Sequence, residues 1–220
     1  MPLPSIVIET AADPKFAVIW LHGLGADGHD FEPIVPELVD KSWPALRFVF
    51  PNAPVRPITI NGGMPMRAWY DISGMEIAQK QDETGIRDSI RLLDELIDEQ
   101  IARGIPSDNI VLAGFSQGGA IVLSGGIRSK HKLRGIVALS TYLPIAEKTD
   151  AEASDANRDT PIFMAHGMLD PTISHALGEM SREYLKQRRF HVDWHPYPMA
   201  HQVCAEEIAD LKRWLGARLR

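Results

Sequence analysis

Cysteine is almost absent: Cys204 stands alone in 220 residues. No internal disulfide can form, so nothing here points to an oxidising compartment. A basic excess is also lacking. Lys and Arg number 23 against 29 Asp and Glu, the net charge is −6, and no cationic run stands out. Nucleic acid and anionic membrane, which select a basic face, are therefore not expected partners. No apolar run reaches the roughly 18 residues of a membrane span. The opening MPLPSIVIET has no charged segment followed by an apolar one, as a secretory signal would. The expectation is a cytoplasmic protein without stable membrane insertion.

What the chain does contain is alternation. Phe16–Leu21 is a short continuous apolar run, the mark of a strand buried on both faces. A helix is expected over Asp30–Val39 with Asp30 as its N-cap, then a strand over Arg47–Phe50. Residues 52–80 form a long irregular stretch, rich in proline and glycine yet holding Met64, Met66, Trp69, Tyr70, Ile72 and Met75. Loops of that length in compact domains usually carry function. Ile86, Ile90, Leu93, Ile97 and Ile101 recur at helical spacing from Thr84 to Arg103, and Gly104 and Pro106 stop the helix.

Further strands are expected over 109–114, 134–139, 161–166 and 191–195, with helices from Ser116, Ile173 and Cys204 and a polar loop over 147–159. Such alternation predicts one α/β domain spanning 1–220: a mostly parallel sheet with helices on both faces. Ligands of such sheets collect at the carboxyl ends of the strands.

Two glycine-rich loops lie at such ends. Gly23-Leu24-Gly25-Ala26-Asp27-Gly28 fits the G-x-G-x-x-G of dinucleotide sites. The acid that should hold a ribose at the end of the second strand is missing, since Pro51 and Asn52 stand there. No nicotinamide, flavin or other cofactor is expected. Gly114-Phe115-Ser116-Gln117-Gly118 fits G-x-S-x-G, whose glycines clear space around a serine raised on a strained corner.

A serine hydroxyl is inert without a base, and the base needs an acid to orient it. Asp170, in Gly167-Met168-Leu169-Asp170-Pro171, and His201, after Tyr197-Pro198-Met199-Ala200, each follow a strand. Their order, Ser then Asp then His, is the one this kind of fold uses. His191 and His195 share a strand face without a third ligand, so no metal site is expected. His22 reads as a backbone brace, His166 as a support for the Asp170 loop, and Cys204 as buried filler. The oxyanion donors would be the N–H of Gln117 and, from the first glycine loop, that of Leu24.

HGLGADGHDF, PNAP, GFSQGGA, LDPT and YPMAHQVCAEEI together resemble the small carboxylesterases of the acyl-protein thioesterase / lysophospholipase family of α/β-hydrolases. The resemblance covers essentially the whole chain. It implies an α/β-hydrolase fold without a large cap domain, a catalytic set of Ser116, Asp170 and His201, and oxyanion donors Leu24 and Gln117. It further implies cofactor-free hydrolysis of esters or thioesters with small to medium acyl chains, by a monomer or homodimer. Met168 and Ala200 depart from the commoner pattern of an acid and a glycine at those places, which touches positioning and substrate preference.

The acyl group is expected against Leu24, Met64, Trp69, Ile72, Met75 and Phe115, with Phe115 equally readable as core. The same machinery would serve a small-molecule ester, an acylated protein or a lysophospholipid. A catalytically silent homologue that binds a ligand is the alternative from another class.

Overall fold

The computed structural model describes residues 3–74 and 80–219. Its centre is a sheet of seven strands: β1 (Ser5–Glu9), β2 (Phe16–Leu21), β3 (Leu46–Pro51), β6 (Ile110–Phe115), β7 (Gly135–Leu139), β8 (Ile162–Gly167) and β9 (Val192–Tyr197). Their order across the sheet is β1-β3-β2-β6-β7-β8-β9. Only β1 runs antiparallel, pairing Ser5 with Pro51 through Glu9 with Arg47. No strand was expected before Phe16. β1 is a partly solvated edge strand, so its sequence carries none of the continuous apolar signal of the buried strands.

The apolar run of β2 is split by its pleat. Ala17, Ile19 and Leu21 enter one core, while Phe16, Val18 and Trp20 enter the other. The first core is covered by α2 (Glu83–Ala102), α3 (Gln117–Arg128) and α5 (His175–Gln187). The second lies under α1 (Val35–Leu38) and α6 (Ala205–Gly216). Helix α2 begins where Asp82 accepts from Gly85 N–H. Its residues Ile86, Leu93 and Ile97 are fully buried, one face of a 3.6-residue repeat.

Two expectations need correction. The helix over Asp30–Val39 is only a 3₁₀ turn at Glu32–Ile34 followed by the single turn α1, and Asp30 caps neither. Pro33 and Pro36 remove the N–H groups a longer helix would need. The stretch 52–80 is not wholly irregular: β4 (Val55–Ile58) and β5 (Met64–Arg67) form an antiparallel hairpin. Its strands are connected by a 3₁₀ turn at Thr59–Asn61, closed by Gly62 and Gly63 at φ 67° and 80°. Pro57 and Pro65 hid it, and they face each other in a two-stranded ribbon, where a missing donor matters least. The polar loop after β7 also holds the single-turn helix α4 (Thr149–Glu152), between 3₁₀ turns at Ala146–Lys148 and Asp155–Asn157. Among the described residues no helix is long and apolar enough to cross a membrane.

Candidate active site

Ser116 stands between β6 and α3 at φ 54°, ψ −120°, a backbone that non-glycine residues rarely adopt. The surroundings hold it there. Its N–H donates to Leu139 O at 2.9 Å, and its carbonyl accepts from Thr141 Oγ1 at 2.7 Å. Close approach explains the glycines. A Cβ at Gly114 would lie 2.5 Å from Gly118 O, and one at Gly118 would lie 2.4 Å from Leu21 O.

Asp170 and His201 follow adjacent strands. β8 and β9 pair in parallel to Gly167 and Tyr197, and the loops beyond stay zipped, with Met168 N–H donating to Tyr197 O and Leu169 N–H to Met199 O. A Cβ at Gly167 would lie 2.3 Å from Ala200 O, so a side chain there would force the loops apart.

Across this seam His201 Nδ1 lies 2.7 Å from Asp170 Oδ2, and His201 Nε2 lies 2.9 Å from Ser116 Oγ. Asp170 Oδ1 accepts from the N–H groups of Thr172 and Ile173 at 2.8 and 2.9 Å. His166 Nε2 donates to Ile173 O at 2.9 Å and sits 3.5 Å from Asp170 Oδ2. Burial holds the His166 pKa below its ordinary value, which favours a neutral ring behind the acid. The Phe115 ring, half-buried, lies 4.8 Å from the His201 ring and 5.5 Å from that of Phe31.

Gln117 opens α3, where the first N–H groups have no acceptor within the helix. Among the described residues the Leu24 N–H has no acceptor either, whereas Gly25 N–H donates to Arg67 O and Ala26 N–H to Gly23 O. The loop carrying Leu24 touches the serine corner: a Cβ at Gly23 would lie 3.5 Å from Ser116 Cβ. The geometry therefore brings a serine hydroxyl, an imidazole, a carboxylate and two N–H groups without an acceptor among the described residues to the carboxyl ends of β2, β6, β8 and β9. It can support attack on a carbonyl with proton transfer through the imidazole.

The other expected residues are scattered. Met64 is 61 % exposed on the hairpin, which reaches the Leu24 loop through Arg67 O. Met66, on the same face of β5, comes nearer, its sulfur 3.9 Å from a Cβ built at Gly25. Ile72 is half-buried against the first core. Met75 lies outside the described residues. Trp69 has 0 % of its surface exposed, which corrects its placement as a pocket wall. Its indole N–H donates to His22 O and its backbone N–H to the Gln117 side chain, so it packs inside the loop. Cys204 packs against the second core but is only half-buried, standing as the N-cap of α6 with its thiol pKa pushed up by desolvation.

Thr141 went unnoticed in the sequence because no local pattern marks it. Among the described residues no group of three or more His, Cys, Asp or Glu is placed to hold a metal ion.

Sheet order, serine corner and catalytic ends define an α/β-hydrolase. The chain belongs to the Phospholipase/Carboxylesterase family of hydrolases, whose pattern it matches over residues 4–219. Acyl-protein thioesterase 1 of Neurospora crassa is 39 % identical over 98 % of this chain and 92 % of its own. The protein of the same name from Yarrowia lipolytica is 38 % identical over 100 % and 99 %. Among solved structures, Zea mays acyl-protein thioesterase 2 superposes with a TM-score of 0.87 at 27 % identity, covering 99 % of both chains.

Proposed function

We propose that this protein is a serine hydrolase that cleaves carboxylic esters and thioesters of small to medium acyl chains through an acyl-enzyme. The observation that carries the reading is the hydrogen-bonded line from Ser116 Oγ through His201 to Asp170, at 2.9 and 2.7 Å. His201 takes the Ser116 proton as the oxygen attacks the carbonyl carbon. Asp170 keeps the imidazole oriented and stabilises its cation. The oxyanion is received by the N–H groups of Leu24 and Gln117, each worth on the order of 3 kcal/mol of barrier. His201 returns the proton to the departing alcohol or thiol. It then activates a water that splits the acyl-Ser116 ester and frees the acid.

Within this reaction class a thioester of an acylated protein is the favoured natural substrate, because the similar curated proteins carry the name acyl-protein thioesterase. Leu24 and Met66 at the first glycine loop, with Phe115 against the His201 ring, form the first part of the acyl wall in this reading.

A fluorophosphonate probe tests the class: a covalent adduct on Ser116 of folded protein is expected, and its absence overturns the reading. Turnover of p-nitrophenyl esters of increasing acyl length, of a lysophospholipid and of an S-acylated peptide then ranks the substrates. A peptide slower than every simple ester overturns the thioesterase assignment alone.

A further inference from the structure

Trp69 is the junction of a buried network. Its indole N–H donates to His22 O at 2.9 Å, its backbone N–H to Gln117 Oε1 at 2.7 Å, and its carbonyl accepts from Ser89 Oγ of α2. Gln117 completes a two-point clamp by donating from Nε2 to Tyr70 O at 2.7 Å. His22 carries the network onward, its Nδ1 at 2.7 Å from Gly23 O and its Nε2 accepting from Ala53 N–H at 3.0 Å. Burial lowers the His22 pKa, which favours the neutral ring that can donate at Nδ1 and accept at Nε2.

The network spans the two chain segments that offer N–H groups to the oxyanion. Gln117 is fixed by the serine corner, but Leu24 sits in a glycine loop whose Gly25 has φ 78°. An oxyanion hole lowers a barrier only when its donors already stand where charge will develop. His22 precedes that loop, and its carbonyl is held from one side by the Trp69 indole. On the other side the backbone passes so close to α3 that a Cβ at Gly118 would lie 2.5 Å from His22 O.

We propose that Trp69 is a positioning residue that sets the separation of the Leu24 and Gln117 N–H groups, acting through the His22 carbonyl and the Gln117 side-chain amide. The proposal rests on the hydrolase reading and adds that Trp69 acts on the tetrahedral state without touching the acyl chain. Both donors form their hydrogen bonds most strongly to the oxyanion, so disturbing their spacing weakens transition-state binding more than substrate binding.

Two variants test it. Trp69→Phe keeps an aromatic ring but removes the indole N–H. Gln117→Glu keeps an acceptor for Trp69 N–H but sets an oxygen against Tyr70 O, and it leaves the Gln117 backbone N–H in place. On a p-nitrophenyl ester each is expected to lower kcat by about 10- to 100-fold, with KM changed less than about threefold. Affinity for a trifluoromethyl ketone, which forms a tetrahedral adduct, falls with kcat, while that for a planar amide analogue holds. In Trp69→Phe the pH midpoint of kcat/KM stays where it is, since no charge is added and His201 is untouched. The double variant costs little more than either single change, because both break one network.

Wild-type kcat in folded Trp69→Phe, or a loss borne entirely by KM, overturns the proposal. If Trp69→Phe fails to fold, the same readouts on Gln117→Glu decide it. Ser116→Ala runs beside them: turnover surviving there sinks the hydrolase reading, whereas its loss beside an unaffected Trp69→Phe sinks the positioning role alone.

Discussion

The Asp170 carboxylate faces His201 with one oxygen only. Oδ2 lies 2.7 Å from His201 Nδ1, while Oδ1 is held by the backbone N–H groups of Thr172 and Ile173. The carboxylate is thereby locked in rotation, and in the proposed hydrolase the imidazole is held in the tautomer that leaves Nε2 free to accept the Ser116 proton.

Asp170→Asn keeps the shape of this arrangement but offers a donor where an acceptor is needed. The amide favours the wrong tautomer, and kcat should fall by about ten-thousandfold, the size of that penalty in triad enzymes. Thermal melting should move little. Steady-state turnover and a melting curve of the same preparation check both halves.

Ser116→Ala removes the nucleophile and leaves the corner intact. Turnover of any ester should drop by at least roughly a thousandfold. Substrate binding should persist, readable as saturable quenching of tryptophan fluorescence by a slowly hydrolysed ester.

Gly118→Ala pushes a methyl group to within 2.4 Å of Leu21 O and 2.5 Å of His22 O, both backbone atoms that cannot step aside. Overpacking of this kind costs about 1–3 kcal/mol. For a chain of this size that is roughly 2–12 °C in Tm. Activity should fall with it, because the displaced strand end carries the Leu24 loop. Calorimetry alongside an ester assay reads both effects.

Glu207 of α6 is fully buried, and neither carboxylate oxygen makes a hydrogen bond of good geometry among the described residues. Burial pushes its pKa from 4.5 to about 8, and the Cys204 backbone amide offsets this only in part. The folded chain therefore keeps a proton that the unfolded chain gives up above pH 4.5. Stability from this group is complete below that pH and is lost as pH rises toward about 8. Glu207→Gln should leave Tm near wild type at pH 4 and raise it by at least ~3 °C at pH 8.5. Melting curves across that range test it, and equal Tm values at pH 8.5 would refute the assignment.

Several features were readable because their signals are local. β2 declares itself by an unbroken apolar run, α2 by isoleucines and leucines at helical spacing, and the serine corner by glycines two places either side of Ser116. Asp170 and His201 could be picked out because each follows a strand in the order the fold requires. The hairpin of β4 and β5 was obscured by its prolines, and β1 by its place at a half-solvated edge.

Trp69 marks the boundary most clearly. An aromatic residue on a long irregular segment reads as a binding surface, since loops usually run over the outside. In the fold its N–H, carbonyl and indole find partners on α3, α2 and the loop after β2, and it has no exposed surface. Phe115 is similar: sequence left it equally core or pocket, and only its 4.8 Å approach to the His201 ring shows what it packs against.

By itself, then, the sequence determined the order of the buried strands and their main helices, the mostly parallel sheet and the chemical kind of each group at the strand ends, because these depend on neighbours along the chain. The tertiary structure decided which of those groups meet and which side chains merely hold them. Distances such as that between Ser116 and His201 depend on strand pairing and loop packing between segments far apart in the chain, which no local pattern records.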